Sequence, residues 1–443
     1  MTSRALACVL ALTAGCRTPS AIQGNDSLVA EAQKLLSEGQ VSRAIERLNS
    51  ERTRTPHDFS VIRVLVAAHR QGGTLATFMS TLPARHDAPT HYARGLALFA
   101  GTARVDDAVA GEFQAALSVA PEEGELHHRW GLLLLESERF DEAITPLKRA
   151  VELAPRQFSY CLPLARALHR AGHPQEARAA LLRLVDVDAA GTDIAHAALL
   201  MNELTDSLVR VPASAHKAIE EALRLLNNAN APEAAIVALE ELLHAYPGLA
   251  GGHVLLGLAF QRTNDASRAV DSFRHASALN PDDALPHLYL GELYSSRGKR
   301  EAAKASFEEA ATRNPFLPIP PWRLGEVALD AKDLVAAERW FHRWARILPD
   351  EPAPRAKWAL VLQLMGRFRD AELALLASHA AQPENPEYML RLGLLFVDER
   401  LKAKTATAKR EAETAAVKWL SATLAKDPEN ADASRALDSV RTP

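Results

Sequence analysis

Sixteen histidines and three cysteines are the residues that first invite a search for chemistry. A metal centre needs ligands that converge from one helix face or from paired loops. His127 and His128 are adjacent, so on a helix they point apart. His169 and His173 are four apart, but Gly172 ends the helix between them. No His-Glu-x-x-His occurs, and three cysteines cannot supply paired Cys-x-x-Cys motifs. The chain has no Gly-x-Ser-x-Gly elbow, no Gly-x-x-x-x-Gly-Lys-Ser/Thr loop and no Gly-x-Gly-x-x-Gly fingerprint. Acidic pairs such as Glu240-Glu241 and Glu308-Glu309 sit where a helix surface would expose them to water. These absences point to a non-enzyme, with no metal, no cofactor and no small-molecule substrate expected.

The elements that would carry any site are helical. Hydrophobic residues make up 48% of the 443, dominated by Ala and Leu, a composition that favours helices over strands. The formal net charge of −4 argues against nucleic acid as a partner. Beyond the N-terminus, no apolar run approaches the ~18–20 residues that span a bilayer.

The stretch Ala284 to Leu317 holds the clearest pattern. Counting Ala284 as the first place, Gly291 is eighth, Tyr294 eleventh, Gly298 fifteenth, Ala303 twentieth, Phe307 twenty-fourth, Ala310 twenty-seventh and Pro315 thirty-second. Leu285, Leu288, Leu290, Leu293 and Tyr294 have helical spacing before the Gly298 stop, and a second helix runs to about Arg313. Small residues at Gly291, Ala303 and Ala310 let the two helices approach closely. A single hairpin cannot bury its apolar faces, so it needs neighbours.

Those residue types at those places resemble the tetratricopeptide repeat. His287 departs at the fourth place, where that family often has Trp. Looser copies keep the 34-residue phase over most of the chain. The resemblance implies an all-α, right-handed superhelical solenoid of helix hairpins that binds other proteins. Residues 25–191 read as a first array of five units, the second one degenerate. Residues 192–215 are too short for a unit and read as a hinge or a decayed repeat around one unpaired helix. Residues 216–429 read as six units. The last has eleven extra residues, expected as about three added turns in a charged helix over Lys404 to Ala425. Residues 430–443 read as a capping helix and tail.

The N-terminus is a separate signal. Arg4, the apolar Ala5 to Ala14 and then Ala14-Gly15-Cys16 read as a signal peptide over residues 1–15. Leu12 to Cys16 resembles a bacterial lipobox, which implies a diacylglycerol on the Cys16 thiol. Residues 16–24 would be a tether, and Arg17 leans towards the outer membrane. Cys161 would remain as the lone mature cysteine, at a packed place. A soluble adaptor without an anchor is the alternative.

In the tetratricopeptide family, places two, five, nine, twelve and thirteen of each first helix line a concave groove. The resemblance therefore implies a partner groove at Val254, Leu258, Leu288, Glu292, Trp322, Glu326, Leu360, Leu364, Leu390 and Leu394. Such a stripe suits an apolar strand or an amphipathic helix. The alternative reading packs several of these residues between successive first helices. The Lys/Asn/Arg clamp that binds chaperone C-termini is absent, with Glu220, Leu255, Leu285 and Tyr289 at its places. In the first array Glu125, His128, Glu136, Arg166, His169 and Arg170 read as a solvated charged face.

Overall fold

The computed structural model describes residues 23–155, 157–185, 191–227 and 231–441. The signal-peptide segment 1–15, Cys16 and most of the tether lie outside those residues. Among the described residues every regular element is helical, and no helix is long and apolar enough to cross a membrane.

The chain divides into two compact units, residues 1–189 and 190–443. In the first, the helices are α1 Gln23–Ser37, α2 Val41–Arg54, α3 Phe59–Gln71, α4 Leu75–Thr81, α5 Ala88–Thr102, α6 Asp107–Val119, α7 Gly124–Glu136, α8 Phe140–Leu153, α9 Cys161–Arg170 and α10 Pro174–Leu182. They pack as successive pairs, from α1 with α2 to α9 with α10. In the second, α11 Gly191–Thr205 stands alone ahead of the pairs. Those pairs are α12 His216–Asn227 with α13 Pro232–Ala245, α14 Ala250–Arg262 with α15 Ala266–Leu279, and α16 Leu285–Ser296 with α17 Arg300–Arg313. They continue as α18 Ile319–Asp330 with α19 Leu334–Ile347, α20 Pro352–Leu364 with α21 Phe368–Ala381, and α22 Pro386–Lys402 with α23 Ala406–Lys426. α24 Ala431–Arg441 packs on the last pair.

Local chemistry sets the ends of these helices. Asp58, Asp87, Asp106, Asp265 and Asp333 accept backbone N–H bonds as N-caps. In nine of the pairs the chain turns between the two helices through one left-handed residue. That residue is glycine at Gly39, Gly73, Gly172, Gly298 and Gly366, and Ala103, Glu138, Asn264 or Lys332 elsewhere. All nine occupy the fifteenth place of their repeat, so the turn is kept even where a side chain makes it costly.

The contact inside each pair is equally constrained. A Cβ on Gly291 would lie 2.6 Å from the Phe307 ring, and one on Gly325 would lie 2.7 Å from Phe341. Gly257 meets Phe273 in the same way at 2.5 Å. Phe273, Phe307 and Phe341 are at most 1% exposed, so the ring cannot yield. The core of the second unit is divided into clusters, in one of which α16, α17 and α18 close around Phe307.

Two irregularities refine the sequence reading. The short α4 ends before Pro83, which leaves the second pair incomplete. The eleven extra residues of the last pair do not lengthen one helix. They divide between α22, with 17 residues, and α23, with 21, against 13 and 14 in α20 and α21. Thr405, whose hydroxyl caps the Ala408 N–H, starts α23 afresh.

Gly291→Ala should destabilise the second unit by about 1–3 kcal/mol, despite the better helix propensity of Ala. Gly101→Ala, in α5 with nothing within 4 Å of its Cβ, should be neutral or stabilising by up to ~1 kcal/mol. Urea titrations followed by circular dichroism separate the two outcomes.

Candidate functional site

The first helices of the second unit carry a column of residues spaced by one repeat. Glu292 on α16, Glu326 on α18, Leu360 on α20 and Leu394 on α22 share the ninth place. Arg323, Lys357 and Arg391 share the sixth place of the following helix. The two columns pair across neighbouring helices. Arg323 Nη2 lies 3.6 Å from Glu292 Oε1, and Lys357 Nζ lies 2.9 Å from Glu326 Oε1.

The next rung is missing. Where a glutamate would face Arg391, the chain has Leu360, and Arg391 turns to Glu387 on its own helix at 2.7 Å. A cavity of about 290 Å³ opens there, lined by Ala356, Leu360, Gln363, Leu375, Glu387, Leu390, Arg391 and Leu394. A second of about 290 Å³ shares Ala356, Glu387 and Arg391 and runs to Trp322, Trp344, Lys357 and Tyr388. Beyond the cavity, Gln363 Nε2 donates to Asp398 Oδ2 at 2.6 Å and ties α20 to α22. The Trp322 and Trp344 rings stack at 5.9 Å, and Arg323 lies 4.3 Å from the Trp322 centroid. The surface thus offers an aliphatic pocket beside a guanidinium, with an aromatic wall at one end.

The tetratricopeptide repeat family matches residues 128–194, 254–318 and 290–352. Residues 128–194 and 254–352 carry tetratricopeptide repeats. Among solved structures, it is similar to the tetratricopeptide protein YrrB at 17% identity, over 45% of this chain and 98% of that one, with a TM-score of 0.39. PilF of Pseudomonas aeruginosa is 20% identical over 51% of this chain and 96% of that one, at 0.38. The Cut9–Hcn1 structure is 14% identical over 94% and 96%, at 0.35. No curated protein matches the chain.

The repeat register explains where the expected groove residues fall. Val254 and Leu288, at the fifth place, are 0% and 4% exposed and belong to the core, so they present no surface to a groove. Ala356, at the same place, is buried too. Trp322 and Leu390, also at the fifth place, remain half-buried. The ninth place is different: Leu258, Glu292, Glu326, Leu360 and Leu394 are all half-buried. Leu364, at the thirteenth, is 49% exposed. Trp322, Leu360, Leu390 and Leu394 line the two cavities, while Glu292 and Glu326 are held in the ion-pair ladder. The sequence reading missed Lys357, Glu387 and Arg391. For Lys357 and Arg391 the signal was present, with Arg323, as basic residues recurring every 34 positions.

The solvated-face reading of the first array fails at two residues. Arg166, Arg170 and Glu136 are exposed and His169 is half-buried, but His128 is 8% exposed and the Glu125 side chain 21%. Tyr160 covers them: its ring stacks on His128 at 4.1 Å, and its hydroxyl donates to Glu125 Oε2 at 3.2 Å. Arg63 Nε on α3 reaches to 4.0 Å of Glu125 Oε1. Burial alone would raise the Glu125 carboxyl, but His128, Arg63 and Arg129 outweigh it and hold it at about 2. Burial pushes the His128 imidazole down, which leaves it neutral at pH 7. Arg129 is 2% exposed and Tyr92 0%, so this is a buried polar network and not a surface. Cys161 is also buried, and burial pushes its thiol up.

Glu125→Gln should cost about 2–4 kcal/mol at pH 7, because Arg63 and Arg129 lose the carboxylate they face. The folded carboxyl is depressed, so its contribution is present above about pH 4.5 and is lost as pH falls towards 2. Urea titrations of both proteins at pH 7, 4 and 2.5 should therefore show the wild-type advantage shrinking with acid.

Proposed function

We propose that this protein is a non-enzymatic scaffold that holds another protein on the first-helix face of its second unit. The observation that carries this reading is the missing rung at Leu360. A solenoid that only needed to be stable would keep the ladder Glu292–Arg323, Glu326–Lys357 going. Here the ladder stops, and the stop creates an apolar cavity beside Arg391. An extended strand or amphipathic helix fits, with an aliphatic side chain seated among Leu360, Leu390 and Leu394 and an acidic group facing Arg391. Trp322 and Trp344 are the kind of aromatic anchor that dominates protein interfaces.

The repeat array works in this reading as a tethered module. Cys16 carries a diacylglycerol, and the array stands at the periplasmic face of a bacterial outer membrane, where it assists assembly of an envelope, secretion, pilus or polysaccharide-export complex. The support is the Leu12 to Cys16 stretch and the apolar segment before it. Acyl chains contribute ~0.8 kcal/mol per buried methylene, so a multiply acylated cysteine holds the chain firmly at a bilayer.

Leu360→Glu tests the groove. The new carboxylate would complete the ladder with Arg391 and close the cavity without disturbing the fold. In vivo crosslinking from a photoreactive residue at Leu394 should capture a partner, and Leu360→Glu or Trp322→Ala should cut that capture at least tenfold, roughly 1.4 kcal/mol. Equal capture from exposed Leu373 on α21, or capture indifferent to both variants, would place the partner elsewhere. The anchor is tested separately. Palmitate label should enter the wild type and vanish in Cys16→Ala, which should also leave the membrane fraction. A wild type without label, recovered in soluble fractions, would make the protein a soluble adaptor.

A further inference from the structure

We infer that α11 and the loop after it form a strap that makes three helix pairs of the second unit open as one cooperative block. In a repeat array each pair touches only its neighbours, so stability is a sum of local terms and pairs can open singly. The strap breaks that rule. Ser207 N–H donates to Asp283 Oδ2 at 3.1 Å, between α15 and α16. Asn280 Nδ2 donates to the Thr205 carbonyl at 2.8 Å and to Ser207 Oγ at 2.9 Å. One pair further on, Asn314 Nδ2 donates to Asn202 Oδ1 at 2.9 Å. The helix then packs against α19, in the third pair. The strap thus runs backwards along the array and is tied at each junction it crosses.

Burial supports the same placement. Ile194, Ala197, Leu200, Met201 and Leu204 form one face of α11, each 6% exposed or less. Asp283 and Asn314 are 1% and 3% exposed, and Ser207 is 4% exposed. The backbone comes so near that a Cβ on Gly251, at the start of α14, would lie 2.5 Å from the Ser207 carbonyl oxygen. Asparagine stands at the thirty-first place of only two repeats in this unit, and both amides are bonded to the strap. Tyr246, Leu348, Gln382 and, after its eleven extra residues, Asp427 stand at that place in the others.

Native-state hydrogen exchange on the full chain tests the inference, with urea added below the unfolding transition. The slowest amides of α11, α15 and α17 should exchange within about threefold of one another in the wild type. In Asn280→Ala/Asn314→Ala, α11 should lose at least about tenfold protection, and α15 and α17 should separate into different rates. Ser378→Ala, which removes a buried hydroxyl from α21, should leave α11 unchanged. If the double variant fails to fold, Gly251→Ala pushes a methyl group against the strap alone and should give the same separation. The inference is overturned if wild-type α11 already exchanges about a hundredfold faster than α15 and α17. It is overturned equally if α11, α15 and α17 keep their common rate in both variants.

Discussion

The contact on which this structure depends is a phenylalanine ring pressed against a glycine. Phe307 lies so close to Gly291 that no side chain fits between them, and the same holds at Phe273 with Gly257 and Phe341 with Gly325. That closeness fixes the distance between paired helices. The left-handed residue at the fifteenth place fixes how the chain turns from one to the other. Once both are set, each pair presents the same two faces to its neighbours, and a long surface can be built from short-range contacts alone. The same economy explains why the core of the second unit is divided into separate clusters.

That division of labour decides how much could be read in the sequence. Places eight, fifteen and twenty-four are dictated within a pair, so the helices and most of their ends were legible from spacing. The face between pairs was less so. Val254 and Leu288 look like groove residues when one helix is read at a time. Reading down the column of repeats shows the fifth place buried at Val254, Leu288 and Ala356 and half-covered at Trp322 and Leu390. The same column shows Glu292 and Glu326 giving way to Leu360 while the basic residue at the sixth place persists. A local pattern search sees an ordinary leucine there. The physical statement is an absence, a carboxylate missing opposite Arg391, and that can be seen only against a regular background.

The first unit shows the opposite limit. Glu125 and His128 carry polar side chains whose chemistry argues for water. Tyr160 and Arg63, thirty-five residues later and sixty-two residues earlier, cover them. A charge is tolerated there because three groups of suitable kind converge on one carboxylate, and no single repeat encodes that convergence. Removing any one member would leave the others buried without their counterpart, so the network acts as a unit.

α11 joins these two lessons. Its apolar spacing was legible as a helix, and its failure to find a partner in sequence made it look like a break in the array. Its partners lie within the second unit, far from it in sequence. Asn280 and Asn314 precede Pro281 and Pro315, where an asparagine reads as a turn residue. Their amides instead reach across to a segment 73 to 112 residues earlier. A nearest-neighbour array gains little from such long-range ties unless its pairs must keep a fixed spacing. The tied junctions lie around the pairs α14–α15, α16–α17 and α18–α19, and the last of these carries Trp322 and the ladder residue Glu326. Holding that pair in register with the two before it keeps the aromatic wall of the candidate site in one geometry. A partner that binds there meets a surface already ordered, and less of its binding free energy goes into ordering it.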